Sequence, residues 1–457
     1  MKLMLRRSLV LLVFSLMLLL GLTIFMANYF ANAADWAHHP GNRHYFRGGE
    51  TVASGTISDR RGQVLFKIRD GEAKFHGSAA VRTAVMHAVG DKNDNVATGA
   101  QVAFRKRLTG WDLLNGAYSF GGISDGSSGR DLTLNLDAEL CELAYRELGG
   151  RRGAVGVYNY KTGEILCMVS SPSFDPEHPP TIEPGAPGYD GVYLNRLLSA
   201  AYTPGSVFKL VTATAALVEI EDIDEKVYRC NREMEIDGDK VTCMSACGDV
   251  TLKQALARSC NIAFAEIALE LGSDKLQKYA VSAGFNRGLE VDGIPTVPGR
   301  VDIRGAKGAD LAWAGIGQHT ITANPLNFMA FMGAIANDGV SVRPRLIKTE
   351  GLLSNILSST DKERMIPSRT AELLGAMMRN NTLSSYGEGN FAGLELCGKT
   401  GTAEVGGGQN PHAWFAGYLE RDDYPLAFVV IIENGGFGSR AAAPVAANVL
   451  QAAVKEQ

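Results

Sequence analysis

No excess of charge of either sign marks this chain. Its 457 residues carry 45 Lys+Arg against 49 Asp+Glu, a formal net charge of −4, so there is no electrostatic reason to expect nucleic acid as a partner. Repeats of solenoid period are missing, and so is any long low-complexity tract, which sets aside repeat arrays and disordered tails. Histidine is missing beside the clustered cysteines: none lies close to Cys230, Cys243 and Cys247, and their spacing matches no finger pattern. A metal is therefore not expected there, and no metal or organic cofactor is indicated elsewhere. The expectation is a Cys230–Cys243 disulfide or free thiols; the bridge would close a loop of about 14 residues, worth about 3 kcal/mol. Cys141, Cys167, Cys260 and Cys397 sit among apolar neighbours and read as buried small residues.

One hydrophobic run is long enough to cross a bilayer. Leu9 to Ala27 is apolar apart from Ser15 and Thr23, behind Lys2, Arg6 and Arg7. About 20 apolar residues span the hydrocarbon core as a helix, and the basic flank puts the N-terminus inside. The reading is a cytoplasmic tail over 1–8, a transmembrane anchor over 9–30 and a linker over 31–50, with everything beyond outside the cytoplasm. The competing reading is a cleaved signal peptide ending near Ala31-Asn32-Ala33, although the run is long for one. Either way the remainder is exported, where a disulfide is permitted.

Residues 51–130 read as a small region of short strands and many turns. Ile57 to Leu65 looks like strand, turn, strand, and a boundary is expected near Asp125-Gly126-Ser127-Ser128-Gly129. From Asp131 the texture changes. Leu132 to Leu136 alternates as a strand, and Asp137 can cap a helix over 138–148. Gly153 to Asn159 and Ile165 to Val169 form a hairpin pattern around Thr162-Gly163. The proline-rich 172–190 reads as an irregular loop. Helices are expected at about 204–219, 251–271 and 323–337, strands at 393–402, 412–420 and 426–434, and a last helix from Ala441 to Lys455. Sheet segments at both ends with helices between them suggest an α+β domain over 131–457, its antiparallel sheet closed by the two ends of that stretch.

The chemistry turns on one lysine. Gly393 to Thr400 satisfies G-x-x-x-x-G-K-[ST], a phosphate-binding loop, and Lys399-Thr400-Gly401 satisfies K-T-G. A phosphate loop needs a strand, a flexible turn and then a helix. Here Leu394-Glu395-Leu396-Cys397 alternates like sheet, and Gly406-Gly407-Gly408 follows where the helix should run. The K-T-G reading instead finds partners. Ser206-Val207-Phe208-Lys209 is S-x-x-K at a helix start, with Lys209 one turn from Ser206. Ser259-Cys260-Asn261 is S-x-N. Singly, Ser206 reads as a helix cap, Lys209 as a solvated helix residue and Asn261 as another cap. Together, in this order and separated by about 50 and 140 residues, the triplets are specific.

From about residue 50 onward the sequence resembles a class B penicillin-binding protein, a peptidoglycan D,D-transpeptidase. Beyond the triplets, Gly55-Thr56-Ile57-Ser58-Asp59-Arg60-Arg61-Gly62 is similar to the R-G-x-I-x-D-R-x-G segment that opens the family's N-terminal module. Thr162 to Leu166 and Ser171 to Pro176 match its first hairpin, Gly315-Ile316-Gly317-Gln318 and Thr322 to Leu326 its I-G-Q…T-P-L stretch, Lys399 to Glu404 its K-T-G-T-A-E, and His412-Ala413-Trp414-Phe415 its H-A-W-F. The resemblance implies a penicillin-binding/serine β-lactamase-like α+β transpeptidase domain over 131–457. Before it would come a small β-rich, non-catalytic module over 51–130, of dimerisation or pedestal type, as in compact members, and one transmembrane helix. Two positions depart: Ser54 stands where arginine is usual, and Cys247-Gly248 where His-Gly is common.

What the resemblance implies chemically is acyl transfer through a serine acyl-enzyme. Ser206 would attack the D-Ala-D-Ala of a stem peptide, with Lys209 as its base, kept neutral by burial beside the second cation Lys399. Ser259 would relay a proton, and Asn261 would hold substrate and Lys209. Lys399, Thr400, Gly401 and Thr402 would bind the substrate, with the carboxylate on Lys399. The backbone amides of Ser206 and Thr402 would form the oxyanion hole, and Gly401 would let substrate approach the backbone. β-Lactams would acylate Ser206, and a polytopic glycan polymerase is the implied partner. The alternatives are a serine β-lactamase, a β-lactam sensor of the same fold, or an inactive wall-synthesis scaffold.

Overall fold

The computed structural model describes residues 2–37, 55–69, 72–108, 130–183, 185–186, 188–349 and 361–455. They belong to two compact units. The smaller takes its residues from Met1–Ile57, Phe66–Lys74 and Phe104–Leu132, the larger from Ser58–Leu65, Phe75–Ala103 and Thr133–Gln457. The expected boundary at 130/131 thus falls near the end of the smaller unit, but much of the expected 51–130 module packs into the larger one. The boundary tract 125–129 and most of the linker, 38–50, lie outside the described residues.

In the smaller unit, helix α1 spans Lys2–Ala37 and contains the apolar stretch Arg6–Tyr29, of mean hydropathy 2.8. It runs past residue 30 into the expected linker, because no glycine or proline interrupts residues 22–37. Gly55 donates to the Leu108 carbonyl at 2.7 Å, and Leu132 to that of Thr56 at 2.8 Å.

In the larger unit, the turn after Ile57–Ser58 is organised by Asp59, whose Oδ1 accepts from Arg61 N (2.9 Å) and Gln63 N (2.8 Å). A helix over Ala79–Val89, capped by Ser78, was not legible in the sequence. It holds the proline-rich loop: Arg82 makes a two-pronged ion pair with Asp175 (2.7 and 2.6 Å), and His87 Nε2 lies 2.7 Å from the Val192 carbonyl.

The core is a five-stranded antiparallel sheet. Its strands are β1 (Gly153–Asn159), β2 (Ile165–Ser171), β3 (Leu396–Ala403), β4 (His412–Leu419) and β5 (Leu426–Ile432), in the order β3-β4-β5-β1-β2. Leu426 pairs with Asn159 and Ile432 with Gly153, so the two ends of the domain close the sheet as expected. The strands are buried along nearly their whole length, which demands helices on both faces. Helix α2 (Ala138–Leu148), capped by Asp137, packs on β1 and β2, and α8 (Gly438–Lys455) on β3, β4 and β5. Helix α6 (Pro325–Ala336) covers β4, β5 and β1, and α7 (Ser368–Asn381) covers β3. Close packing is enforced by glycine: a Cβ on Gly333 would lie 1.8 Å from the Tyr158 hydroxyl.

Between these lie α3 (Lys209–Glu219), α4 (Leu252–Ala257) and α5 (Asn261–Leu271). The single helix expected over 251–271 is two helices, broken at residues 258–260. Helices over Ser273–Ser282, Gly308–Gly315 and Ser368–Asn381 were not anticipated.

Candidate active site

Ser206 lies in a single 3-10 turn, Gly205–Val207, just before α3. Gly205 has φ +55, and a Cβ there would sit 2.6 Å from the Thr402 carbonyl. No other residue fits that combination of left-handed backbone and close approach. Gly317 braces the turn from behind: its carbonyl accepts from Gly205 N at 2.9 Å, and a Cβ on it would lie 2.2 Å from the Gly205 carbonyl. The serine turn is thus clamped between the I-G-Q stretch and the K-T-G strand.

Lys209 is fully buried. Its Nζ lies 2.6 Å from the Ser259 carbonyl, 2.6 Å from Asn261 Oδ1, 3.1 Å from Ser206 Oγ and 3.3 Å from Ser259 Oγ. Lys399, also fully buried, reaches Ser259 Oγ at 3.0 Å and the Thr400 carbonyl at 2.8 Å. One hydroxyl, that of Ser259, therefore joins the two amines. Burial pulls Lys209 down to about 8, while the sulfurs of Cys260, Cys243 and Cys247 push the other way. Lys399 is held well below its ordinary value by burial first and by the Lys209 charge second. Both amines are therefore pulled down, by burial first, with the two cations repelling each other across Ser259 Oγ.

The break in 251–271 makes this convergence possible. Ser259 has φ +53, a left-handed conformation unusual for serine. Cys260 then caps α5 through its sulfur, which accepts from Ala263 N at 3.4 Å, and Asn261 N–H points at Cys243 Sγ, 3.0 Å away. Asn261 Nδ2 donates to the Thr242 carbonyl at 2.7 Å, which turns its Oδ1 toward Lys209.

Strand β3 is the edge of the sheet, and side chains close most of that edge. Arg379 donates to the Leu396 carbonyl (3.4 Å), Asn381 Nδ2 to that of Gly398 (3.0 Å), and Lys399 to that of Thr400 (2.8 Å). The Tyr386 hydroxyl accepts from Thr400 N (3.0 Å) and lies 3.2 Å from Thr400 Oγ1. Positions 396, 398 and 400 thus point off the edge, and the two-residue period makes Thr402 the next. Tyr386 was missed because Thr382 to Gly387 carries no motif and its partner lies 14 residues on. Gly401 is also required by packing: a Cβ would meet the Pro204 carbonyl at 2.9 Å, Val207 Cγ1 at 3.0 Å and Trp414 Cβ at 3.1 Å. The close neighbour within the protein is the serine turn itself. Trp414 is a core residue, and its Nε1 donates to the Thr203 carbonyl at 2.9 Å.

A cleft of about 510 Å³ opens onto these groups, lined by Ser206, Ser259, Asn261, Thr400 and Thr402, with Arg258 and Arg440 among its walls. All eight residues expected to act by side chain or backbone therefore converge on one cleft or directly behind it.

Of the two expected states of the clustered cysteines, disulfide or free thiols, the second is found. Cys230 and Cys243 form no disulfide; both are free and buried. Cys260, from within the S-x-N triplet, joins them and Cys247, and the four sulfurs all lie within 4.8 Å of one another. The expectation of no metal rested on a trio without histidine, whereas four convergent thiols are the donor set of a structural zinc site.

Comparison with known proteins agrees with this geometry. The family model for the penicillin binding protein transpeptidase domain matches residues 153–451. The peptidoglycan D,D-transpeptidase PbpA of Mycolicibacterium smegmatis is 31% identical over 343 residues, 67% of this chain and 68% of that protein. Stage V sporulation protein D of Bacillus subtilis is 28% identical over 72% of this chain and 54% of its own length. Among solved structures, the D,D-transpeptidase domain of a peptidoglycan glycosyltransferase from Eggerthella lenta superposes with a TM-score of 0.74 at 26% identity, covering 89% of this chain and 99% of that one. Penicillin-binding protein A of M. tuberculosis, solved as a ceftriaxone acyl-enzyme complex, shares the fold with a TM-score of 0.76 at 24% identity over 88% of this chain and 98% of that one. With its S-x-x-K, S-x-N and K-T-G residues gathered on one cleft, the chain belongs to the penicillin-binding protein transpeptidase family.

Proposed function

We propose that the chain is a peptidoglycan D,D-transpeptidase that works through a Ser206 acyl-enzyme. The observation that carries this reading is the surroundings of the Lys209 amine. A neutral lysine has two N–H donors and one lone pair. The Ser259 carbonyl and Asn261 Oδ1, both at 2.6 Å, are pure acceptors and take the two donors. The lone pair is left for the Ser206 hydroxyl at 3.1 Å. That is the arrangement of a general base with its nucleophile, and a value near 8 leaves a useful neutral fraction at physiological pH.

In the forward step Ser206 Oγ adds to the penultimate D-Ala carbonyl as Lys209 takes the hydroxyl proton. The developing oxyanion is held by the amides of Ser206 and Thr402, Thr402 being the next outward-pointing position on the β3 edge after the capped Thr400. Ser259 Oγ, 3.0 Å from Lys399 and 3.3 Å from Lys209, passes a proton to the leaving D-Ala amine. The terminal carboxylate is drawn to Lys399 and the Thr400 and Thr402 hydroxyls. An amine from a neighbouring stem then takes the acyl group. Among the described residues lining the cleft Glu404 is the one carboxylate, and it is not hydrogen-bonded to Ser206, which favours slow hydrolysis of a β-lactam adduct over β-lactamase turnover. Helix α1 would anchor the chain in the cytoplasmic membrane, with the cleft outside and the 51–130 region and anchor facing a glycan polymerase.

The test is labelled penicillin with the full-length protein. A persistent adduct on the peptide containing Ser206, absent in Ser206→Ala, with D-Ala released from a stem pentapeptide, supports the reading. An adduct elsewhere, or one released within seconds, sinks it.

A further inference from the structure

The four-sulfur cluster takes no part in acyl transfer, yet it is built into the S-x-N triplet. We propose that Cys230, Cys243, Cys247 and Cys260 hold one zinc ion, and that this ion fixes the Ser259-Cys260-Asn261 turn in its reactive geometry. The second half rests on the function proposed above; the first does not.

Tetrahedral zinc with Zn–S bonds of about 2.3 Å spaces its sulfurs about 3.8 Å apart. Cys243 and Cys260 Sγ are 3.7 Å apart, and all four sulfurs fall within 4.8 Å of one another. Four thiolates with no carboxylate or imidazole are a soft set that selects zinc over magnesium or calcium. The ligands come from four places in the fold: the end of the strand Val227–Cys230, the residue after Asp239–Thr242, the residue before Gly248–Thr251, and the cap of α5. Antiparallel pairing of Cys230 with Gly248 brings the first and third together. Backbone amides are aimed at the sulfurs: Cys247 N–H at Cys230 Sγ (3.4 Å), Asn261 N–H at Cys243 Sγ (3.0 Å) and Ala263 N–H at Cys260 Sγ (3.4 Å). Amide donors of this kind stabilise thiolate and orient ligands from the second shell. Arg258, bonded to the Cys247 carbonyl at 2.6 Å, sets a positive charge beside a centre of four thiolates and one dication.

The coupling to the cleft is covalent and short. Cys260 separates Ser259 from Asn261. Cys243 follows Thr242, whose carbonyl orients the Asn261 amide. A left-handed serine persists only where its surroundings over-determine it, and the Cys260–zinc bond supplies that constraint one residue away.

The experiment uses the full-length protein purified in detergent without chelator. Elemental analysis and native mass are expected to give about one zinc per chain, lost in Cys243→Ala. Penicillin acylation should fall at least tenfold in that variant and on chelation of the wild type, and return when zinc is restored. Cys247→His, which keeps a zinc-competent ligand, should retain both zinc and acylation within about threefold, separating loss of metal from loss of fold. A zinc-free protein, whether its intact mass shows four free thiols or two disulfides, overturns the site. Stoichiometric zinc whose removal leaves acylation unchanged overturns the coupling. Stoichiometric zinc in a protein that penicillin never acylates would sink the transpeptidase reading and leave the site standing.

Discussion

Asn261→Asp is the most direct probe of how the base is held neutral. The change is isosteric, but it puts a carboxylate where Asn261 Oδ1 now lies, 2.6 Å from Lys209 Nζ. An opposite charge at that distance raises a lysine by about 1 to 3 pKa units. In the wild type, a value of about 8 leaves about one Lys209 in eleven neutral at pH 7. Acylation should therefore rise about tenfold from pH 6 to 7, about fivefold from 7 to 8, and level off above 9. In Asn261→Asp the midpoint should move to 9 or higher. Acylation at pH 7 should drop about 10- to 1000-fold, equivalent to about 1.4 to 4 kcal/mol. The assay is the second-order rate of labelled-penicillin acylation from pH 6 to 10, with thermal unfolding in parallel because Thr242 loses its donor. Asn261→Ala, which adds no charge, serves as the control and should not shift the midpoint upward. A variant midpoint still near 8, or a wild-type profile flat between pH 6 and 9, would refute the assignment of Lys209 as the base.

Tyr386→Phe removes the acceptor from Thr400 N–H, and a partly buried donor left unpaired costs about 1 to 3 kcal/mol. We expect about a tenfold loss in acylation efficiency with Ser206 still reactive; unchanged kinetics would show that the tyrosine only packs. Gly401→Ala drives a methyl group into the Pro204 carbonyl and Val207, so both melting temperature and acylation should fall together, and a rate loss with full stability would show that this glycine serves substrate instead. Arg82→Ala leaves Asp175 half-buried without its partner, with about 3 kcal/mol of stability lost in denaturant melts. Asp175 is held well below the usual carboxylate range, chiefly by its Arg82 hydrogen bonds. Its folded value is depressed, so its contribution is present above about pH 4 and lost as pH falls; the acid limb of the stability profile should flatten in Arg82→Ala.

Local rules were enough for part of this protein. An apolar run behind three basic residues defines a membrane-length helix, Asp137 starts a helix where the periodicity begins, and alternating apolar stretches at both ends of 131–457 pair into one sheet. Ser206 and Lys209 meet because i and i+3 share a helix face, and Lys399 lies on a strand because its neighbours alternate and glycines forbid a helix after it. Tertiary structure decided everything that depends on meetings across long separations. The helix over 251–271 breaks because Ser259, Cys260 and Asn261 find better partners in Lys209, Cys243 and Thr242 than in a continuous helix. Cys260 reads as a buried small residue until three distant cysteines surround it. At Gly401 the Pro204 carbonyl is 2.9 Å from where a Cβ would stand, and Lys209 is pulled down by a burial that no local pattern reveals. Periodicity is a property of a few consecutive residues; desolvation, steric contact and sulfur geometry are properties of residues brought together from separate elements, and they exist only once the chain has closed on itself.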